Sequence, residues 1–367
     1  MRRPVMLIAP LLLLAVACQA GATTPPSSPT TAPATRAATT APTGAEPTRT
    51  PVTPTSAPAT TAAASAPATA EAPTDSPVAF PIELVDDEGT TVALEAEPER
   101  VVSLTPATTE LLFALDEGEK LVGRTAFDDY PPEAAELPAV AEFTGVLIEQ
   151  VVDLEPDLIL AGGNSFTPPG DVTRLRELGF PVLVLYAEDF EGVMADIELV
   201  GQAVGAPAQA SAITAEIAAQ QADVVAAVED LRRPRVFYEI GYGPEIYAPA
   251  PESFVADMVS LAGGEPVTTG DPTLFSISLE QLVTADPETI VLGDAAYPPP
   301  ICPDTVAARE GWSGITAVAA GEIRPVNDII VTRPGPRIGD GLTALALAIH
   351  PDIDLAEPAD SGLDLCG

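Results

Sequence analysis

The chain has 367 residues and carries 54 acidic against 16 basic side chains, a formal net charge of −38. A charge of that sign excludes nucleic acid, whose phosphates call for a basic surface, and disfavours adsorption onto anionic lipid; most of it reads as a solubility feature. With a single histidine, the sequence lacks the converging nitrogen donors of a zinc or manganese carrier and has little to offer a Ser-His-Asp hydrolase.

The N-terminus reads as a targeting segment. Arg2 and Arg3 precede an apolar stretch from Val5 to Ala17, which is too short to cross a bilayer as a helix. It ends in Ala15-Val16-Ala17-Cys18, which resembles a bacterial lipobox with Cys18 as the lipidated first residue. Cleavage as an ordinary signal peptide near Ala17 or Ala20 is the plainer alternative. Residues 1–17 are thus the signal peptide. Residues 18–78 follow as the lipidated cysteine and a tether almost wholly of Thr, Ala, Pro and Ser. Such a stretch cannot bury enough apolar area to offset its chain entropy and is expected to be disordered.

From Arg100 the chain alternates short apolar runs with helical stretches, the pattern of parallel α/β units. Val101–Leu104 predicts a strand, and Thr105 and Pro106 open a helix through Leu115, with Thr105 as N-cap and Pro106 in the first turn. Strands follow at Leu121–Gly123, Leu158–Ala161 and Val182–Tyr186, with helices near 171–179 and 190–204. Pro207 to Arg232 has no internal glycine and no proline after Pro207, and predicts a helix of roughly 37 Å at 1.5 Å per residue. Beyond it come a strand at Val236–Ile240, a helix near 253–262, strands at 289–292 and Ile323–Val326, and a final helix from Pro336 to Ile349. His350, just past that helix and before Pro351, reads as a C-terminal cap.

One phrase occurs twice. Residues 148–160 and 279–291 each place Glu-Gln at the start of a short amphipathic run, then a proline seven positions after the glutamate, then an apolar strand. Glu149 and Glu280 hold the equivalent positions. Ser278-x-x-Gln281 gives the second copy a capping box. The repeat predicts an α/β protein of two similar lobes, each a mainly parallel sheet with flanking helices. The N-terminal lobe covers 79–205, the connecting helix 206–232 and the C-terminal lobe 233–367. Either glutamate alone reads as a first-turn acid complementing the helix dipole; the spaced pair can also be read by a two-fold symmetric partner. Setting Cys18 aside leaves Cys302 and Cys366, an even pair in an exported chain, which reads as a disulfide or else as two free thiols.

Arg100-Val-Val-Ser-Leu-Thr-Pro-Ala-Thr-Thr-Glu110, Asp129-Tyr-Pro-Pro132, the two Glu-Gln repeats and Arg333-Pro-Gly-Pro-Arg337 together resemble the substrate-binding lipoproteins of ABC importers for cobalamin, haem and iron–siderophores. These are the binding proteins whose lobes are joined by one rigid helix, and the resemblance is closest to the cobalamin-binding member. It implies capture of cobalamin or a related corrinoid between the lobes and delivery to a permease dimer with its ATPase, by a monomer anchored on the outer face of the membrane. It also implies docking through Glu149 and Glu280. For ligand contact it points to Tyr130, Phe143, Phe275 and Arg333, with Tyr238, Tyr242 and Trp312 as further aromatics able to face the cleft. An iron–siderophore or haem carrier is the alternative within that class, and a surface sensor without transport duty is the alternative outside it. Neither Gly-x-Ser-x-Gly, Gly-x-Gly-x-x-Gly nor a P-loop occurs in the sequence, so an enzyme is not expected, nor a resident cofactor or metal.

Overall fold

A computed structural model describes residues 78–164, 166–297 and 301–366. The signal peptide, Cys18 and nearly all of the tether lie outside the described residues. None of the described helices is long and apolar enough to cross a membrane.

The first lobe is built on a six-stranded sheet. Its order is Gly145–Val146, Ala139–Glu142, Leu121–Thr125, Val101–Ser103, Leu158–Gly162 and Val182–Leu185, parallel throughout except for the first pair. The second lobe carries a parallel sheet in the order Glu265–Pro266, Arg235–Glu239, Thr289–Leu292 and Ile323–Pro325. Its two central strands are buried from Val236 to Glu239 and from Thr289 to Leu292, as expected of parallel sheets covered on both faces. A hairpin of Ile82–Val85 and Thr91–Leu94 precedes the first sheet, and a small antiparallel sheet of Gly241–Tyr242, Ile246–Tyr247 and Ser276–Ile277 adjoins the second.

The repeated phrase occupies the same place in both sheets. In each lobe the first strand of the parallel sheet lies beside the repeat strand, and the repeat strand's other neighbour is the next parallel strand in sequence. The helices are Ile148–Asp153 and Leu279–Ala285. Each turns into its strand through a non-glycine residue of positive φ just before the proline, Glu155 at 46° and Asp286 at 47°, a strained but effective way to end a helix. An arginine at the head of each first strand holds that turn. Arg100 donates twice to the Leu154 carbonyl, at 2.9 and 2.6 Å, and Arg235 donates through Nε to the Ala285 and Asp286 carbonyls at 3.0 Å. The acid after each proline, Asp157 or Glu288, accepts the backbone N–H of that arginine.

The connecting helix runs Pro207–Val228, 22 residues, or about 33 Å at 1.5 Å per residue. It is four residues shorter than the sequence pattern suggests, because the chain turns at Glu229–Leu231 ahead of Pro234. Ala210, Ile217 and Val224 recur every seven residues along its buried side, the spacing of a helix–helix seam. It packs against Phe190–Val204 and against the final helix Ile338–Ile349. A Cβ on Gly201 would collide with Ala210, so that glycine sets the close approach. One hydrophobic core runs from Leu111 and Leu183 of the first lobe through Ile217 and Val224 to Val236, Val291 and Leu342. His350 is the C-cap residue of the final helix, but its Nε2 lies 3.1 Å from the Gly263 carbonyl. Cys302 and Cys366 form a disulfide with their Cα atoms 5.6 Å apart.

Candidate binding cleft

The carboxyl ends of parallel strands are where open α/β sheets bind ligands. A cavity of about 840 Å³ lies there, lined by the ends of all the parallel strands of the first lobe and, from beyond the connecting helix, by Phe254, Thr332, Arg333 and Pro334. Its aromatic wall is Phe127, Phe143, Phe166, Tyr186 and Phe254. Phe143 is 94 % exposed and meets Phe127 edge to face at 5.5 Å, a favourable quadrupole arrangement that leaves one face of Phe143 open. Gly162 and Gly163, at the end of their strand, leave room for this wall. A Cβ on Gly162 would press on Thr105 and Phe166, and one on Gly163 on the Cβ of Tyr186. Asn164 donates to the Tyr186 hydroxyl at 2.9 Å and fixes that ring.

The floor is the entry to helix Pro106–Ala114, whose N-cap is Thr105 as expected; its hydroxyl accepts from the Thr108 N–H at 3.2 Å. Ser103, Thr105 and Thr108 exchange hydroxyl bonds of 2.7 and 2.9 Å. Deeper in the first lobe, Asp128 accepts from Thr109 and Thr125, and burial raises its carboxyl above the ordinary range.

Charge at the cleft is unevenly matched. Arg333 lines the cavity, but its Nη1 is held by buried Glu110 and by Asp129 at 3.0 Å. Arg337 closes on the same Glu110 through Nε and Nη2, both at 2.8 Å. Asp196, in the cavity wall, lies within hydrogen-bonding reach of Asp87, and burial together with that neighbour pushes its carboxyl up to about 8. In the second lobe Asp328 accepts from the hydroxyls of Tyr238 at 2.8 Å and Tyr297 at 3.2 Å, and burial raises its carboxyl too.

The aromatics singled out from sequence divide. Phe143 and Arg333 line the cavity. Tyr238 does not: it is wholly buried in the second lobe, with its hydroxyl spent on Asp328, so ligand contact is corrected to a core role. Trp312 is likewise buried, against Phe237. Tyr130 lines a separate cavity of about 650 Å³ with Glu110, Ile213 and Gln220, and the Arg337 guanidinium sits 4.0 Å above its ring. Tyr242 is covered by Arg309 at 3.7 Å, and Phe275 is exposed ahead of the strand Ser276–Ile277; neither lines the cavity. Glu149 and Glu280 are both exposed in the first turns of their helices. Phe127, Phe166, Tyr186, Phe254 and Asp196 were missed. The signal for three of them was present, since Phe127, Phe166 and Tyr186 each follow a strand by no more than four residues.

Comparison with known proteins agrees with this geometry. A family model described as periplasmic binding protein matches residues 101–328. The chain is 31 % identical over 278 residues to the ABC transporter substrate-binding lipoprotein YvrC of Bacillus subtilis, covering 74 % of this chain and 87 % of that one. It is 32 % identical to a cobalamin-binding protein of Halobacterium salinarum, covering 76 % and 77 % of the two chains. Among solved structures, a periplasmic heme-binding protein from Pseudomonas aeruginosa superposes with a TM-score of 0.61 at 25 % identity, covering 72 % of this chain and 97 % of that one. With over half of its length matched by that family model, this chain belongs to the periplasmic binding protein family.

Proposed function

We propose that this protein is the extracytoplasmic solute-binding component of an ABC importer, a non-enzymatic carrier that captures cobalamin or a related corrinoid in the cleft and hands it to a permease dimer with its ATPase. The observation that carries the reading is the aromatic-walled cavity of about 840 Å³, near the upper end of the range for small-molecule sites. A large macrocycle with broad apolar faces and amide edges suits such walls. The kinship with a cobalamin-binding protein supports it. A haem or ferric siderophore ligand is the second reading, favoured by the likeness to a heme-binding structure.

Titration calorimetry with cyanocobalamin tests the assignment. Submicromolar binding is expected, and Phe143→Ala should weaken it by at least about tenfold, ~1.4 kcal/mol. Absence of corrinoid binding beside tight binding of haem or a ferric siderophore would transfer the assignment to the second reading. The carrier is held on the outer face of the membrane as a monomer by a diacylated Cys18, in keeping with the lipoprotein relative. Cys18→Ala should release it from the membrane fraction, and retention there would refute the anchor.

A further inference from the structure

The charges around the cleft are matched in an unusual way. Glu142, Asp196 and Arg333 are the charged residues among those lining the cavity. Arg333 belongs to a cluster with Arg337 in which two arginines face three carboxylates, Glu110, Asp129 and Asp360. Its positive charge is therefore more than cancelled where it stands. The other arginines near the strand ends are also committed. Arg124 stands outside the cavity lining and donates to the Thr125 and Ala135 carbonyls, Arg309 grips Glu239, and Arg176 holds Asp86 and Glu88, leaving Asp87 beside Asp196 without a cation among the described residues. The N-terminus of helix Pro106–Ala114 brings partial positive charge to the floor, but Thr105 already takes the N–H groups of Thr108 and Thr109. Among the described residues that line the cavity, then, Arg333 is the one cation and it is already paired, so an entering anion meets Glu142 on one side and the Asp196–Asp87 pair on another.

We infer that the cleft sorts its ligands by charge, with Asp129 masking Arg333 on one side and the Asp196–Asp87 pair repelling anions on the other, so that it admits neutral or cationic macrocycles and refuses those with carboxylate edges. Repulsion of like charge in a partly desolvated cleft is an effective way to reject a ligand whose shape fits. The inference rests on the corrinoid reading for the ligand's size and shape, but the charge rule stands on the ion pairs themselves.

The test uses three coloured macrocycles of different charge: hemin with its two carboxylates, neutral cyanocobalamin, and cationic aquocyanocobinamide. Affinities are measured by titration at low and high salt. Hemin should bind at least about tenfold more weakly than cyanocobalamin, ~1.4 kcal/mol, and cobinamide at least as tightly as cyanocobalamin. Salt should strengthen hemin binding and weaken cobinamide binding, because screening relieves repulsion and attraction alike. Asp129→Asn on its own, and Asp87→Asn together with Asp196→Asn, should each reduce the hemin-to-cyanocobalamin ratio of Kd by at least about fivefold, ~1 kcal/mol. A merely structural role for either carboxylate would not give hemin and cobinamide opposite salt responses. Hemin binding as tightly as cyanocobalamin in the unmodified protein, or a ratio indifferent to both substitutions, overturns the inference. Binding of cobinamide without cyanocobalamin, with hemin still refused, removes the cobalamin reading and leaves the charge rule standing. Failure of all three to bind overturns both.

Discussion

Asp294 follows the strand Thr289–Leu292 by two residues and is 8 % exposed, with Oδ1 lacking a hydrogen-bond partner among the described residues. Glu239, at the end of the neighbouring strand, is gripped by Arg309 at 2.5 and 2.8 Å. That arginine neutralises one carboxylate and only partly offsets the second, so burial and then Glu239 push the Asp294 carboxyl up to about 7. The folded chain then keeps a proton that the unfolded chain releases near pH 4. Stability from this group is therefore present at acid pH and is lost as pH rises from about 4 through about 7. Asp294→Asn imitates the protonated acid and should narrow the difference in Tm between pH 5 and pH 8; an unchanged difference would show that Asp294 is ionised throughout. Individual roles of this kind were hidden in the sequence. Nothing in the string distinguishes Tyr238, buried against Asp328, from Tyr186, exposed at the cleft, because both are strand-end tyrosines and only the layer of helices over each sheet decides which is covered.

At the scale of elements the sequence was more legible, and the reason is periodicity. Strand Thr289–Leu292 and helix Phe190–Val204 fall where the apolar patterns placed them, and the Ser278 capping box forms with both of its bonds. Ala139–Glu142 and Gly145–Val146 were not seen, being a short hairpin at one side of the sheet with no apolar run long enough to stand out. The same holds for the small helix Asp328–Thr332, which exists because its neighbours close over it. The repeat was the strongest pattern, and its two helices sit at matching points of two sheets that share one order over four parallel strands. Matching placement makes Glu149 and Glu280 a pair that a two-fold permease could read, while neither lines the cavity. Reversing both to arginine should abolish uptake in cells and leave ligand affinity within about threefold, ~0.6 kcal/mol. A large loss of affinity in the purified double variant would mean that they act on the ligand instead.

Taken as a whole, the body joins its lobes through packing that is hard to bend. The hydrophobic core crosses from the first sheet to the second by way of the connecting helix, so opening the lobes would expose apolar surface on both of its sides. Gln220 on that helix donates to Asp340 at 2.8 Å, and Glu110 of the first lobe is held by Arg333 and Arg337 from beyond it. Cutting buried carboxylate–guanidinium contacts costs several kcal/mol when one charge is left unpaired, on the order of 3–5. A hinge made of extended strands would carry no comparable penalty, since a few residues there can absorb a change of φ and ψ. Ligand binding is therefore expected to move side chains such as Phe143 and the Arg333–Asp129 pair far more than it moves the lobes. Small-angle scattering from a truncated chain beginning at Ala79 should give nearly the same radius of gyration with and without cyanocobalamin. A compaction of several ångström on binding would show that the connecting helix yields and that the shared core is not the constraint it is argued to be.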